Sequence, residues 1–191
     1  MKEKILISTG GSGGHVIPAT TIHDHLKIEY DIIFSTDLRG LKYFDSDNYK
    51  LFVINTPKLN KLILLPFSIL KVLFLTFKSL FLLKKENIRI LISTGGYMSL
   101  PLCLAAKILN IKIFLLEPNM TIGRANKFFL NFSQKIICYD ANVIGFPNKF
   151  QNKMIILNPL IRKKYYQINF KKKLNKIFTL MIIGGSQGAK I

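Results

Sequence analysis

Short apolar runs closed by Ser, Gly or Asn recur along the chain, and their spacing predicts alternating strands and helices. Residues 4–8 (KILIS) read as a buried strand, followed by the glycine turn Gly10-Gly11-Ser12-Gly13-Gly14 and a helical pattern from about Ile17 to Lys27. The same order returns at Ile88–Ser93, Gly95-Gly96 and a helix over Leu100–Leu109. It begins a third time at Phe178–Ile183 with Gly184-Gly185-Ser186-Gln187-Gly188. Further strands are predicted at Ile32–Ser35, Lys50–Ile54, Ile111–Leu116, Lys135–Tyr139 and Met154–Leu157. These runs are apolar throughout rather than alternating, which suits a parallel sheet covered on both faces. Three strand, turn and helix units predict an α/β fold with a Rossmann-like, doubly wound parallel sheet.

The segment Leu59–Leu83 is the most apolar part of the chain. Read as a helix after Pro66, it places Lys71, Lys78 and Lys85 seven residues apart, a narrow cationic stripe on an apolar cylinder. The uncharged stretches between its lysines are shorter than the ~18 residues expected of a membrane span. An interfacial amphipathic helix fits better, with Lys71 and Lys78 at lipid headgroups and Phe67, Leu70, Leu73, Phe74 and Phe77 in the acyl boundary. A core helix packed on the sheet, or a true span, are the alternatives.

With 191 residues the chain accommodates one complete domain of this type and the start of another. Residues 1–160 form the predicted Rossmann-like domain, the polar and basic stretch 161–176 a linker, and residues 177–191 the first β-loop of an incomplete second domain. Apolar residues make up 49% of the chain, which excludes a disordered protein. The formal net charge is +18, and such a surplus points to nucleic acid, an anionic membrane or phosphate-bearing substrates. The charge is concentrated in residues 58–89, with seven basic residues against Glu86, and in residues 160–176, with seven and no acid. No nucleic-acid reading motif accompanies it. Cys103 and Cys138 stand far apart without a CxxC pattern and read as buried thiols of a cytosolic protein. The apolar run at the N-terminus is too short for a signal peptide, so no export is expected.

A glycine turn between strand and helix aims backbone N–H groups and the positive helix end at an anion. The turn TGGSGGHV departs from the dinucleotide fingerprint, which would place Gly at Val16, and lacks the Lys-Ser/Thr of a P-loop. Taken alone, such a turn has a second reading as a tight structural connection. Asp37 stands where a dinucleotide fold has its ribose-binding acid. His23 and His25 are two apart on the first helix, point away from one another, and read as packing or surface residues.

Four ordered motifs are more specific than any single turn: STGGSGGHVIPA, STGGYMSLPLCLAAKILNIKIFLLEPNMTIGRANK, NPLIR and IIGGSQGAK. Together they resemble the MurG family of bacterial peptidoglycan transferases, glycosyltransferase family 28, along essentially the whole chain. The resemblance implies a GT-B architecture, of which this chain covers the N-terminal, acceptor-binding portion. It also implies inverting transfer of GlcNAc from UDP-GlcNAc to undecaprenyl-diphospho-MurNAc-pentapeptide, converting lipid I to lipid II.

Carried over by motif, the resemblance assigns substrate binding to Ser12, Gly13, Gly14, Asn119, Arg162 and Ser186. It assigns the acceptor side to Gly95, Gly96 and Tyr97. His15 is the candidate general base, or a group that binds and orients the acceptor hydroxyl; Glu117 is the runner-up base, or a cap for the following helix. The family's EQN segment reads Glu117-Pro118-Asn119 here, and Leu157 replaces a Gly ahead of Asn158-Pro159, with Arg162 one position late. No metal or other cofactor is implied. The expected partners are UDP-GlcNAc, the lipid-linked acceptor and an anionic membrane surface at the cytoplasmic face of the bacterial plasma membrane, with no nucleic acid. Residues 1–191 alone are expected to be inactive, and the alternative is a non-catalytic acceptor-binding subunit that works with a separate C-terminal domain chain.

Overall fold

The computed structural model describes residues 2–44, 48–57, 65–162 and 165. Of the predicted linker only residues 161, 162 and 165 are described, and the strand at Phe178–Ile183 and Ser186 lie outside the described residues. Seven strands alternate with helices: β1 (Lys4–Ser8), α1 (Gly13–Leu26), β2 (Asp31–Thr36), α2 (Leu38–Leu41), β3 (Leu51–Val53) and α3 (Leu65–Lys85). There follow β4 (Ile90–Ser93), α4 (Leu100–Ile108), β5 (Lys112–Glu117), α5 (Arg124–Phe129), β6 (Lys135–Cys138) and β7 (Met154–Ile156). All pairings are parallel, in the order β3-β2-β1-β4-β5-β6-β7. This is the doubly wound, Rossmann-like α/β sheet expected from the sequence.

Successive residues of each apolar run serve opposite faces, as strand geometry requires. Leu6, Ile33, Leu91, Ile113, Leu115 and Ile136 enter one core with Leu83, Leu102 and Phe129 of α3, α4 and α5. Ile5, Ile7, Ile32 and Phe34 enter the other with Ala19, Ile22 and Leu26 of α1. Among the described residues the second face is not fully covered: Ile90, Ile92, Phe114 and Ile137 line an open apolar groove of about 370 Å³. The expectation of a sheet buried on both faces therefore holds on one face and only over part of the other.

Two boundaries moved for a common reason. Helices α3 and α4 each end at an Asn in the left-handed region, Asn87 (φ 53) and Asn110 (φ 54). The next residue's N–H then bonds back into the helix, from Ile88 to the Leu83 carbonyl and from Ile111 to the Ala106 carbonyl. Ile88 and Ile111 are thereby claimed by helix caps, and β4 and β5 start later than the apolar runs do. Helix α1, in contrast, starts at Gly13 rather than near Ile17, because the glycine turn itself forms its first turn, with Ser12 extended ahead of it.

Helix α3 is built inside out for a soluble protein. Its buried positions are Val72, Thr76, Ser79 and Leu83, whereas Phe67, Leu70, Leu73, Phe74, Phe77 and Phe81 are each more than half exposed. Thr76 satisfies its hydroxyl on the Val72 carbonyl at 2.8 Å, whereas the buried Ser79 hydroxyl has no partner among the described residues. The Lys78 ammonium lies 4.7 Å from the Phe74 ring centre, on the outward face. By length and composition Pro66–Lys85 could cross a membrane, and only 22% of its most apolar stretch is buried.

Candidate functional site

In a doubly wound sheet the crevice opens at the carboxyl ends of the strands, where the strand order reverses. Here that point lies between β1 and β4, and the two glycine turns leave the sheet side by side. The seven residues Ile5–Gly11 recur without change as Ile90–Gly96. They stand in register, Ile5 beside Ile90 through to Ser8 beside Ser93. Thr94 Oγ1 hydrogen-bonds Thr9 Oγ1 at 2.8 Å, and the Thr94 N–H donates to the Ser8 carbonyl at 3.0 Å, fastening the bases of both turns together.

The first turn is fixed from the β2 side. Asp37, at the end of β2, accepts from the Gly11 N–H (2.8 Å) and the Gly40 N–H (2.8 Å) through one oxygen. Its other oxygen takes a two-pronged bond from Arg39 at 2.8 and 3.0 Å. The carboxylate is nearly fully buried, and burial alone would raise its pKa. The two amides and the Arg39 guanidinium outweigh that and hold it below 3.8. A Cβ on Gly10 would stand 2.8 Å from Asp37 Oδ1, so only glycine permits this approach. Asp37 is therefore the latch of the first turn, with both oxygens engaged by protein groups.

The second turn has Gly95 and Gly96 both at positive φ, +87 and +84. Ser93 Oγ receives the Gly95 N–H at 3.2 Å, and Ser99 Oγ donates to the Gly96 carbonyl at 2.7 Å. Tyr97 and Met98 follow in a short 3₁₀ turn ahead of α4.

The third wall comes from the loop after β5, organised around Glu117. This side chain is 1% exposed. Oε1 accepts from Asn119 Nδ2 (2.9 Å) and the Asn119 N–H (3.3 Å); Oε2 accepts from the Gly123 N–H (2.7 Å) and Asn126 Nδ2 (3.0 Å). Asn126 also donates to the Leu116 carbonyl at 3.0 Å, tying the first turn of α5 to the strand end. A Cβ on Gly95 would stand 3.1 Å from Asn126 Nδ2, which links this latch to the second turn.

These three walls enclose a cleft of about 320 Å³, lined by His15, Gly95, Gly96, Tyr97, Glu117, Asn119 and the segment 123–126. The sequence-derived candidates His15, Glu117, Asn119, Gly95, Gly96 and Tyr97 thus come together. Ser12, Gly13 and Gly14 immediately precede His15 in the start of α1. His15 Nδ1 is buried and has no hydrogen-bond partner among the described residues. Arg162 follows β7 and is not part of the lining. His23 packs against the rings of Phe34 and Tyr49 at 5.5 and 5.0 Å, and burial lowers its pKa.

Arg124 and Asn126, which the second motif contains but which were not assigned a role from the sequence, also line the cleft. The signal available for Asn126 was its spacing from Glu117, nine residues on and across a turn. That spacing acquires meaning only once β5 and α5 are folded together.

Comparison with known proteins places this geometry in a family. The model of the glycosyltransferase family 28 N-terminal domain matches residues 5–138. A transferase of Pelagibacter ubique, named for moving N-acetylglucosamine to N-acetylmuramyl-(pentapeptide) pyrophosphoryl-undecaprenol, is 53% identical over 100% of this chain and 54% of its own length. The enzyme of the same name from Rickettsia canadensis is 33% identical over 99% of this chain and 54% of its own. The crystal structure of Acinetobacter baumannii MurG superposes with a TM-score of 0.75 at 21% identity, covering 97% of this chain and 53% of that one. The chain spans about half the length of the curated relatives it matches. It belongs to glycosyltransferase family 28, of which it carries the N-terminal domain.

Proposed function

We propose that this chain is the acceptor-binding half of an enzyme that moves GlcNAc from UDP-GlcNAc to a lipid-linked MurNAc-pentapeptide. One observation carries the reading: His15, the second glycine turn and the Glu117 latch converge on a single cleft at the switch point, in a chain whose relatives are named for that transfer. In the proposed reaction the acceptor's 4-hydroxyl oxygen bonds to the anomeric carbon of GlcNAc while the bond from that carbon to UDP breaks, inverting its configuration. The hydroxyl proton passes to His15, or His15 orients the hydroxyl for another base. The unpartnered Nδ1 supports a role for this imidazole toward a bound group.

Glu117 has no free oxygen for proton transfer, and we assign it the positioning of Asn119 and α5. Ser12, Gly13 and Gly14 present the amide end of α1 to phosphate oxygens. The donor-binding groups, Ser186 and Arg162 among them, would act with the half of the relatives' length that this chain does not match. Peripheral attachment to the cytoplasmic face of the bacterial plasma membrane rests on the outward apolar face of α3 and its lysines.

Incubation of the chain with radiolabelled UDP-GlcNAc and a lipid-linked MurNAc-pentapeptide tests this division of labour. No labelled lipid product is expected from residues 1–191 alone. Product formation would contradict the assignment of the donor site to sequence beyond this domain.

A further inference from the structure

One cation in the cleft is used neither by the glycine turns nor by the acid–base chemistry. Arg124 is the first residue of α5 and lines the cleft together with His15 and Tyr97. Its side chain is exposed and, among the described residues, has no hydrogen bond or ion pair. The comparison with Arg39 is instructive, since that guanidinium is already committed to Asp37 through two short bonds. Arg124 is the one permanently charged cation of the described lining, and it makes no ion pair with a described carboxylate.

Its backbone is held more firmly than its exposure suggests. Gly123, just before it, donates its N–H to Glu117 Oε2 at 2.7 Å, and Asn126, two residues on, donates to the same oxygen at 3.0 Å. A long, solvated and permanently charged side chain thus springs from a segment pinned on both sides to one buried carboxylate. That arrangement suits capture of an anion: the fork is available, its root does not move, and no internal ion pair must be broken first.

Resting on the acceptor reading above, we propose that Arg124 grips the diphosphate of the lipid-linked acceptor, with its guanidinium bridging oxygens of that group across the cleft from the first glycine turn. This makes it a substrate-binding residue, and it gives the Glu117 latch a purpose beyond stability, namely to set the Arg124 root at a fixed place beside the second turn. A lysine would supply the charge without the planar fork.

Equilibrium binding of farnesyl diphosphate, inorganic pyrophosphate and farnesol to the 191-residue chain tests the proposal, with R124Q and R124K as variants. Loss of a charge-assisted, two-pronged contact is expected to weaken farnesyl diphosphate and pyrophosphate about 10- to 100-fold in R124Q. Farnesol binding is expected to be unchanged, and R124K to recover part of the loss. Because Arg124 is exposed and unpaired, the thermal melting of both variants should match the parent. Parent-like diphosphate binding by R124Q would overturn the assignment while leaving the acceptor reading intact; an arginine serving the peptide's carboxylates would give that result. Failure of the parent chain itself to bind either diphosphate would overturn both.

Discussion

Replacing Leu73, Phe74 and Phe77 of α3 together by Ser is expected to abolish sedimentation with anionic liposomes while leaving the fold intact. The three side chains are 57%, 55% and 58% exposed. Full burial of such a side chain is worth ~1.5–3 kcal/mol, and a little over half of each remains to be covered, so each contributes ~1–1.3 kcal/mol and the three ~3–4 kcal/mol. In a partition constant that is a loss of ~100- to 1,000-fold. Lys71 and Lys78, outside the triple change, add ~1 kcal/mol each toward an anionic surface, and that part is released by salt. The assay is co-sedimentation with vesicles of mixed neutral and anionic phospholipid at low and high salt, beside a thermal melt. Because these positions face away from the sheet, the melting temperature should hold. Full liposome binding by the triple variant would refute the membrane reading of α3. A large drop in melting temperature would show instead that this face is packed in the folded protein.

Other consequences follow from the latches. D37N removes the charge that holds Gly11, Gly40 and Arg39, and should cost on the order of 2 kcal/mol, or about 4–8 °C in melting temperature for a domain of this size. Since the folded pKa of Asp37 lies below 3.8, its stabilisation is complete above that pH and is lost as acid titrates it; acid unfolding of D37N should lack this component. G95A should lower the melting temperature more than G96A. Both strain a positive φ, but only the methyl at position 95 meets Asn126. Cys103 is fully buried and its thiol is pushed up to about 12, and that of Cys138 to about 11, in both cases chiefly by burial. Neither should react with iodoacetamide at neutral pH until the chain is unfolded, as mass spectrometry of native and denatured samples would reveal.

What could be read from the sequence was local and periodic. Five-residue apolar runs declared the strands, and the glycine turns declared where the crevice opens, because turn chemistry depends on neighbours in the chain. The repeat of Ile5–Gly11 at Ile90–Gly96 even encoded which strands lie side by side at the switch point. The latches were not legible in the same way. Asp37 and Gly11 are 26 residues apart, and their bond exists only after β1 and β2 pair. In a linear reading Asp37 stood at the place of a ribose ligand and Glu117 read as a runner-up base or a helix cap; in the fold each is surrounded by amide donors. Lys153 shows the same limit: its ammonium caps the turn after α5 on the carbonyls of Leu130, Asn131 and Ser133 at 2.8, 3.2 and 2.6 Å, a contact no pattern around position 153 announces. The outward face of α3 was legible as composition, but which face it was became clear only from the small residues Thr76 and Ser79 turned inward.

The central claim is that this domain recognises the lipid-linked acceptor in the cleft formed by His15, the second glycine turn and the β5 loop. Calorimetric titration of the chain with a short-chain, water-soluble polyprenyl-diphospho-MurNAc-pentapeptide, beside UDP-GlcNAc, tests it most directly. The account predicts saturable one-to-one binding of the acceptor, weakened by H15A, and much weaker binding of UDP-GlcNAc. Tight binding of UDP-GlcNAc with none of the acceptor would contradict it.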